Sequence, residues 1–214
     1  MSQDPFDYHA VQAYLETLVP PRPQELVAME AYAAEHGFPI IGPVSGLFCY
    51  QIARLIGAQR VFEMGSGYGY STAWFARAVR ENGGGEVHHV VWDERLSQQA
   101  RRHLDALGVG DLVRFHVAEA IDQLTKSAGP FDLIFLDIDK QHYPDALPYI
   151  TAKLRRGGVF IVDNMLWHAR IFDPADVSAS TEGVRVLTRA LAEDPAWITT
   201  LAPLRDGLIV AYRQ

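Results

Sequence analysis

Short β-rich runs alternate with helical patterns along most of the chain, from about residue 60 onward. Seven strands are predicted, over residues 60–64, 86–91, 112–117, 131–137, 158–163, 197–203 and 207–212. Helices are predicted between them, over residues 70–81, 94–107, 119–127, 144–155 and 183–193. Several of the strands are apolar along their whole length, which is typical of strands that helices cover on both faces. The alternation therefore predicts an α/β fold with a doubly wound, mostly parallel sheet of seven strands.

The two ends of the chain depart from this alternation. The last two predicted strands are separated only by residues 204–206, a connection that permits an antiparallel hairpin but no crossover helix. Residues 1–59 read as helices broken by prolines and glycines, and we expect them to cap the sheet or to form a dimer surface. We therefore expect one domain over residues 1–214, with a Rossmann-like core over 60–214 behind an N-terminal helical segment.

Charge and composition exclude several classes of function. The chain has 214 residues and a formal net charge of −7, so it has no global attraction to nucleic acid or to an anionic membrane. It contains no window of 18 apolar residues, and its first residues lack the basic and apolar segments of a signal peptide. The single cysteine, Cys49, cannot form an internal disulfide and is expected to be a buried thiol in a reducing cytoplasm.

One predicted strand ends in three charged residues. The stretch FDLIFLDIDKQHY covers residues 131–143, and its apolar run gives way to Asp137, Asp139 and Lys140. In an extended chain the two aspartates lie on the same side, about 7 Å apart, so they need a nearby cation. Lys140 is one of only three lysines beside 16 arginines, and lysine, unlike arginine, can give up its proton. We therefore treat Lys140 as a candidate for proton transfer.

A second predicted strand also ends in polar groups. It lies within GVFIVDNMLW, residues 158–167, and is followed by Asp163 and Asn164. If the two strands are parallel neighbours, Asp137, Asp163 and Asn164 converge at one edge of the sheet, where such folds bind ligands. Three hard oxygen donors suit Mg²⁺, or Mn²⁺ or Ca²⁺, better than zinc. The alternative is that Asp163 and Asn164 cap the next loop and that the other acids are surface residues.

A glycine-rich turn joins the first strand to the first helix of the core. Residues 63–72 read EMGSGYGYST, in which Gly65, Gly67 and Gly69 allow the backbone to approach a ligand closely. The dinucleotide pattern G-x-G-x-x-G needs a glycine where this chain has Tyr70. The spacing instead resembles the S-adenosylmethionine (SAM) loop of class I methyltransferases. The alternative is a tight strand-to-helix corner without a ligand.

That resemblance assigns cofactor-binding roles to residues in and near the loop. It implies that Glu63 accepts a hydrogen bond from the ammonium of the methionine moiety. It also implies that the turn, with Ser66 and Ser71, receives the carboxylate of that moiety. After the third strand, the resemblance places the adenine against Ala118 and Glu119.

The end of the second strand departs from the pattern of that family. A carboxylate usually holds the ribose hydroxyls there, but the position is occupied by Val91, and Asp93 lies two residues later. Asp93 either binds the ribose after a local shift or caps the helix that begins near Glu94. Both interpretations stay open at the level of the sequence.

The acidic segments together carry a more specific resemblance. The motif D-x-D-K at residues 137–140, followed by D-N at 163–164 and then by L-W, is similar to the metal-dependent O-methyltransferases of the catechol and caffeoyl-CoA type. The similarity runs from about Gly42 to the end of the chain, so it covers most of the sequence. The combination of motifs is far more specific than any one of them.

This second resemblance implies a complete set of site residues. Asp137, Asp163 and Asn164 are implied to bind the metal. Asp137 or Asp139 is implied to help hold SAM as well, and Lys140 is the implied general base that removes a proton from the acceptor hydroxyl. The alternative for Lys140 is a structural ion pair with one of the two aspartates.

Two further residues are candidates for substrate contact. His142 lies where the family commonly has asparagine, and it either contacts SAM or the substrate or is an exposed imidazole without a role. Trp167 begins a long loop over residues 164–182, and it forms either an aromatic wall of the substrate site or part of the core. The resemblance also implies a homodimer formed through the N-terminal helices.

The sequence thus predicts an enzyme that transfers a methyl group from SAM to a hydroxyl of a small vicinal dihydroxyphenol, with Mg²⁺ or a similar metal. Two alternatives stay open: methylation of a hydroxylated uridine in tRNA, and a SAM-binding interaction module that does not catalyse. The net negative charge and the lack of a basic stripe count against nucleic acid, whose binding depends on phosphate neutralisation. The intact set of acids with Lys140 counts against the non-catalytic module.

Overall fold

Seven strands form one sheet in the computed structural model, which describes residues 7–214. The strands are β1 (Arg60–Met64), β2 (Glu86–Val91), β3 (Val113–Val117), β4 (Phe131–Leu136), β5 (Leu154–Val162), β6 (Trp197–Ala202) and β7 (Leu208–Arg213). Their order across the sheet is β3-β2-β1-β4-β5-β7-β6. Strands β1 to β5 are parallel, and β7 pairs antiparallel with both β5 and β6. The predicted doubly wound, Rossmann-like sheet with a C-terminal antiparallel hairpin is confirmed.

Helices cover both faces of this sheet. They are α1 (Tyr8–Thr17), α2 (Gln24–His36), α3 (Gly42–Leu55), α4 (Tyr70–Glu81), α5 (Glu94–Ala106), α6 (Ala120–Lys126), α7 (Tyr143–Lys153) and α8 (Ala179–Glu193). Apolar side chains of α2 to α5 pack on one face, and those of α6 to α8 pack on the other. The first six residues of the expected N-terminal segment lie outside the described residues. No helix within residues 7–214 has the length and apolarity needed to cross a membrane.

The continuous apolar run of β4 follows from this two-sided cover. Leu133 and Phe135 belong to the core on the α2–α5 face, whereas Phe131, Ile134 and Leu136 belong to the core on the α6–α8 face. All five side chains are fully buried. Each contributes about 1.5–3 kcal/mol relative to an exposed position, so the run anchors β4 in the centre of the sheet.

Two elements, β5 and α8, begin four residues before their predicted starts. Strand β5 begins at Leu154, four residues before the predicted start at Gly158, so Gly157 and Gly158 lie inside the strand and not at its start. The pairing register with β4 shifts between Phe131 and Leu133, and Gly157 has φ +73°, so the glycines form a bulge inside the strand. Helix α8 begins at Ala179 rather than at residue 183, which shortens the loop before it.

Candidate active site

A cavity of about 830 Å³ opens at the carboxyl ends of β1, β2, β4 and β5. On the cofactor side, the predicted site residues in its wall are Gly65, Ser66, Gly67, Ser71, Ala118 and Glu119. On the acidic side they are Asp137, Asp139, Lys140, His142, Asn164 and Trp167. The carboxylates of Glu63 and Asp163 are buried behind this wall. Gly69 and Asp93 do not contribute to it.

The glycine loop is shaped by backbone contacts that a side chain would block. Gly65 has φ +90°, and a Cβ atom there would lie 2.1 Å from the carbonyl oxygen of Asp137. Gly69, which precedes α4, has φ +92°, and its Cβ would lie 2.9 Å from the Cβ of Ala100 in α5. Ser66 fixes the loop on β2, because its N–H donates to the Val90 carbonyl and its Oγ accepts from the Val90 N–H, both at 2.9 Å. The loop therefore brings its own backbone against Asp137.

Glu63 is a fully buried carboxylate beneath this loop. The hydroxyls of Ser71 and Thr72, in the first turn of α4, donate to its two oxygens. Burial raises the pKa of Glu63 to about 7, and the nearby charge of Asp137 acts in the same direction. At neutral pH the site is thus prepared for a cationic partner such as an ammonium group.

Thr72 and His89 extend this network, and neither was predicted. Thr72 Oγ1 lies 3.0 Å from Nδ1 of His89, which is buried, and burial lowers the pKa of His89 to about 3. Because Thr72 donates its only proton to Glu63, it accepts a hydrogen bond from Nδ1 of the neutral His89. The signal for Thr72 was the serine–threonine pair after the glycine loop, of which only Ser71 was assigned.

The acids of β4 and β5 come together as the sequence predicted. The Asp137 N–H donates to the Met64 carbonyl at 2.9 Å, and the Asp163 N–H donates to the Leu136 carbonyl at 3.1 Å. These bonds extend the parallel pairing past the strand ends, so Asp137 and Asp163 lie on neighbouring segments at one edge of the sheet. Asp163 is 1% exposed, and burial, with the charge of Asp137 second, raises its pKa to about 7.

Two protein cations pair with these acids in the structure. Arg205 Nη1 donates to Asp163 Oδ2 at 2.9 Å, and Lys140 Nζ donates to Asp137 Oδ1 at 2.7 Å and to the Ile138 carbonyl at 3.2 Å. The ion pair considered as an alternative role for Lys140 is therefore present. The other oxygen of Asp163, Oδ1, is buried and has no hydrogen-bond partner within residues 7–214.

Asn164 is held by the β6–β7 hairpin loop. Its Nδ2 donates to Asp206 Oδ2 at 3.2 Å, and its backbone is left-handed, with φ 59°. Asp206 also accepts from the His168 N–H at 2.6 Å, and its carbonyl accepts from the Leu166 N–H at 2.8 Å. Because Nδ2 is committed to Asp206, the amide of Asn164 keeps Oδ1 as its acceptor.

Arg205 sits on the same loop in a strained backbone conformation. Its φ is 50°, which costs about 1–3 kcal/mol for a residue other than glycine and persists only where neighbours enforce it. Those neighbours belong to α1: the Arg205 N–H donates to Gln12 Oε1 at 2.9 Å, and Tyr8 donates its hydroxyl to the Arg205 carbonyl at 2.5 Å. The sequence analysis placed Arg205 only in a connecting turn, since its partner Asp163 lies 42 positions away.

In the part of the cavity where the resemblance places the nucleoside, most polar groups already form hydrogen bonds within the protein. Asp93 caps α5 by accepting from the N–H groups of Arg95 at 2.7 Å and Leu96 at 3.2 Å, which is the capping alternative of the sequence analysis. The Ala118 N–H donates to the Val91 carbonyl at 3.1 Å, so this amide is already used within the fold. The side chain of Glu119 caps α6.

The two candidate substrate residues lie in different settings. His142 is exposed at the cavity, with its Nδ1 3.4 Å from Asp145. Trp167 is half-buried, and the Lys140 Nζ lies 5.7 Å from the centre of its ring. Trp167 thus forms a wall beside Lys140. Asp139 is exposed, and its carbonyl accepts from the His142 N–H at 2.9 Å.

Comparisons with known proteins agree with this geometry. The family model for O-methyltransferases matches residues 24–214. A catechol O-methyltransferase of Niastella koreensis is 29% identical over 215 residues, covering 95% of this chain and 96% of the relative. A catechol O-methyltransferase of Mycobacterium tuberculosis is 34% identical over 188 residues, covering 86% of this chain and 84% of the relative.

Solved structures give the same result. The O-methyltransferase TomG from Streptomyces achromogenes, involved in tomaymycin synthesis and solved in complex with SAM, superposes with a TM-score of 0.85 at 27% identity, covering 100% of this chain and 99% of TomG. An O-methyltransferase from Bacillus cereus, solved with S-adenosylhomocysteine (SAH), superposes with a TM-score of 0.86 at 27% identity, covering 96% of this chain and 97% of the other. The chain therefore belongs to the O-methyltransferase family and is a SAM-dependent O-methyltransferase with the class I fold.

Proposed function

We propose that the enzyme methylates one hydroxyl of a small catechol-like acceptor, with a divalent cation at the acidic edge and Lys140 as general base. The observation that carries this proposal is Asp163 Oδ1, a buried carboxylate oxygen without a partner within residues 7–214. A buried acceptor left unsatisfied costs about 1–3 kcal/mol, and more when it is charged. A cation bound at this oxygen recovers that cost.

The donors near Asp163 fit Mg²⁺. Residues 7–214 contain no cluster of three or more His, Cys, Asp and Glu side chains suited to a metal, so the proposed set uses the amide of Asn164 as its third donor. Asp137 and Asp163 supply carboxylate oxygens, and Asn164 supplies Oδ1. Mg²⁺ is commonly bound through one or two carboxylates with other positions left to water or substrate. Mn²⁺ and Ca²⁺ share this preference for oxygen.

When bound, the cation would act as a Lewis acid that orients the two acceptor hydroxyls and lowers their pKa. The residues of this chain do the remainder. Glu63 accepts a hydrogen bond from the ammonium group of SAM, and the glycine loop receives the carboxylate of SAM. Trp167 forms a wall beside the acceptor. Lys140 Nζ takes the proton from the hydroxyl that attacks the methyl group.

The base role places a condition on Lys140. A lysine accepts a proton only as the neutral amine, whereas an ion pair with Asp137 requires the ammonium form. The proposal therefore requires the acceptor complex to hold Lys140 uncharged, which a second cation beside Asp137 favours through charge repulsion.

We also propose that two chains associate through the N-terminal helices. In and directly after helices α1, α2 and α3, apolar side chains are exposed at Tyr14, Leu18, Val27 and Leu55. An interface formed by these helices would remove this apolar surface from water.

The test of Lys140 separates its two roles. Methyl transfer from labelled SAM to a panel of catechols is measured with Mg²⁺ for the wild type, K140A, K140R and the control K126R, since Lys126 is exposed on α6. Arginine keeps the positive charge next to Asp137 but cannot act as a base. We expect K140A and K140R to lose activity by about 10²–10⁴-fold and K126R to retain it. An active K140R would reduce Lys140 to an ion-pair partner.

A further inference from the structure

Trp92 is a large aromatic side chain left in solvent at the mouth of the cavity. It is 84% exposed, although it follows directly after β2 and lines the cavity beside Val91. An indole ring at a ligand cavity offers a flat apolar surface on which a base can stack. This exposure is explained if Trp92 is covered when the nucleoside half of the cofactor is bound.

The strand that ends next to Trp92 presents an apolar residue to the same ligand. Glu63 pairs in register with His89, so these two residues share one face of the sheet. Val91 lies two positions after His89 on β2, and strand alternation therefore places it on that face, one step nearer the cavity. Val91 lines the cavity and is nearly buried. The cofactor face of β2 thus ends in an isopropyl group.

In doubly wound nucleotide sites, an acidic residue at the second strand binds the ribose hydroxyls. Two carboxylates could take its place, Asp93 because it is two positions away and Glu119 because it lines the cavity, and both cap helices. Asp93 accepts from two backbone N–H groups at the start of α5 and does not line the cavity. Glu119 lines the cavity, but one of its oxygens accepts from Ile121 at 3.0 Å and the other from Asp122 at 2.7 Å. Asp93 is therefore outside the cavity wall, and both oxygens of Glu119 already accept hydrogen bonds from the backbone.

We propose that this enzyme binds the nucleoside half of SAM through the apolar surface of Val91 and Trp92, without a carboxylate on the ribose hydroxyls. It follows that cofactors lacking either ribose hydroxyl bind as well as the natural one. A site built to hydrogen-bond a hydroxyl rejects an analogue without it, whereas an apolar site has no group that is left unpaired. The proposal concerns cofactor selectivity and rests only on the SAM-binding part of the function.

Calorimetry of SAH binding tests the proposal without any need for turnover. The dissociation constants of SAH, 2′-deoxy-SAH and 3′-deoxy-SAH are measured on the wild-type protein. We expect the three constants to agree within about threefold. A loss of about tenfold or more for either deoxy analogue is what a charged hydrogen bond to that hydroxyl produces, and it would overturn the proposal. If SAH itself did not bind, the failure would lie with the assigned cofactor and not with its selectivity.

Variants at Val91 and Glu119 locate the effect. V91D restores an acid at the strand end, and we expect it to bind SAH at least tenfold more tightly than the deoxy analogues. A folded V91D protein that binds all three equally would show that Val91 does not face the ribose, against the proposal. In E119Q, the ratio of the dissociation constant of each deoxy analogue to that of SAH should stay near one. If the wild type discriminated and E119Q did not, Glu119 would be the ribose acceptor and the proposal would be wrong.

Trp92 has its own test with a matched control. Loss of a stacking side chain weakens binding roughly fivefold or more, so W92A should weaken SAH and both deoxy analogues by the same factor. F172A removes another exposed aromatic side chain, one that does not line the cavity, and should bind SAH like the wild type. Equal affinities of W92A and F172A would remove Trp92 from the cofactor site.

Discussion

Glu63 and Asp163 are buried carboxylates at the same edge of one sheet, yet their surroundings differ. Glu63 accepts from the neutral hydroxyls of Ser71 and Thr72, which lie eight and nine positions further along the chain. Asp163 pairs with the charged Arg205, 42 positions away, and keeps one oxygen without a partner within residues 7–214. Among the residues that the structure describes, Glu63 thus has no protein cation beside it, and an ammonium group of a ligand would favour its charged form. At Asp163 the charge is already shared with a protein cation, and the open oxygen is what remains for a metal.

The largest expected effect is on stability. Its measurement tests whether the protein places a cation beside the Glu63 carboxylate. The pKa of Glu63 is about 7 in the fold against an ordinary value of 4.5, so the folded state binds more protons than the unfolded state between these pH values. The free energy of unfolding therefore falls as pH rises through this window. E63Q lacks the titration, and urea unfolding should show the wild type losing about 2–3 kcal/mol relative to E63Q between pH 5 and pH 8.

The control for this experiment is E193Q, which removes an exposed glutamate at the end of α8. Its stability relative to the wild type should change little over the same pH range. A pH-independent difference between the wild type and E63Q would mean that the hydroxyls of Ser71 and Thr72 compensate fully for burial.

A second prediction concerns Asp206, which orients Asn164 at the proposed metal site. D206N replaces an oxygen that accepts from Asn164 or His168 by a donor. We expect catechol methylation to fall about 10- to 100-fold and the Mg²⁺ concentration for half-maximal activity to rise, with SAH affinity unchanged. D194N is the matched control, because Asp194 accepts from the Ala196 N–H away from the cavity. Unchanged Mg²⁺ dependence in D206N would count against Asn164 as a ligand.

The smallest expected effect probes the hydroxyl support of Glu63. T72V removes the donor to Glu63 and leaves Nδ1 of His89 without its acceptor, so SAH affinity should weaken by about two- to tenfold. T72S keeps the hydroxyl and should remain within about twofold of the wild type. Equal losses in T72S and T72V would mean that the shape of Thr72 matters rather than its hydrogen bond.

The same contrast explains how far the sequence alone could be interpreted. The glycine loop, Glu63 and Ser71 lie within ten residues, so their spacing constrains their geometry. The convergence of Asp137 and Asp163 was also predictable, because the carboxyl ends of neighbouring parallel strands meet at one edge. The parallel direction of β1 to β5 also followed from the alternation of strands and helices, whereas their order across the sheet did not.

Other features depend on contacts between distant segments. Arg205 and Asp206 reach the site only because the β6–β7 hairpin loop docks on the residues after β5, through the N–H groups of Met165 and Leu166. The strand was predicted to begin at Gly158 and not to contain a bulge at Gly157, since a glycine pair does not reveal whether a strand ends or bends there. The capping role of Asp93 needed the actual start of α5 to be distinguished from ribose binding.

The central claim is that the acidic edge holds a divalent cation in addition to Arg205 and Lys140. The most direct measurement is catechol methylation by the wild type after EDTA treatment, followed by addition of excess Mg²⁺, with SAH affinity measured under both conditions. We predict that EDTA abolishes methylation without weakening SAH binding and that Mg²⁺ restores it. Full activity in EDTA would contradict the account and leave Arg205 and Lys140 as the cations that these acids require.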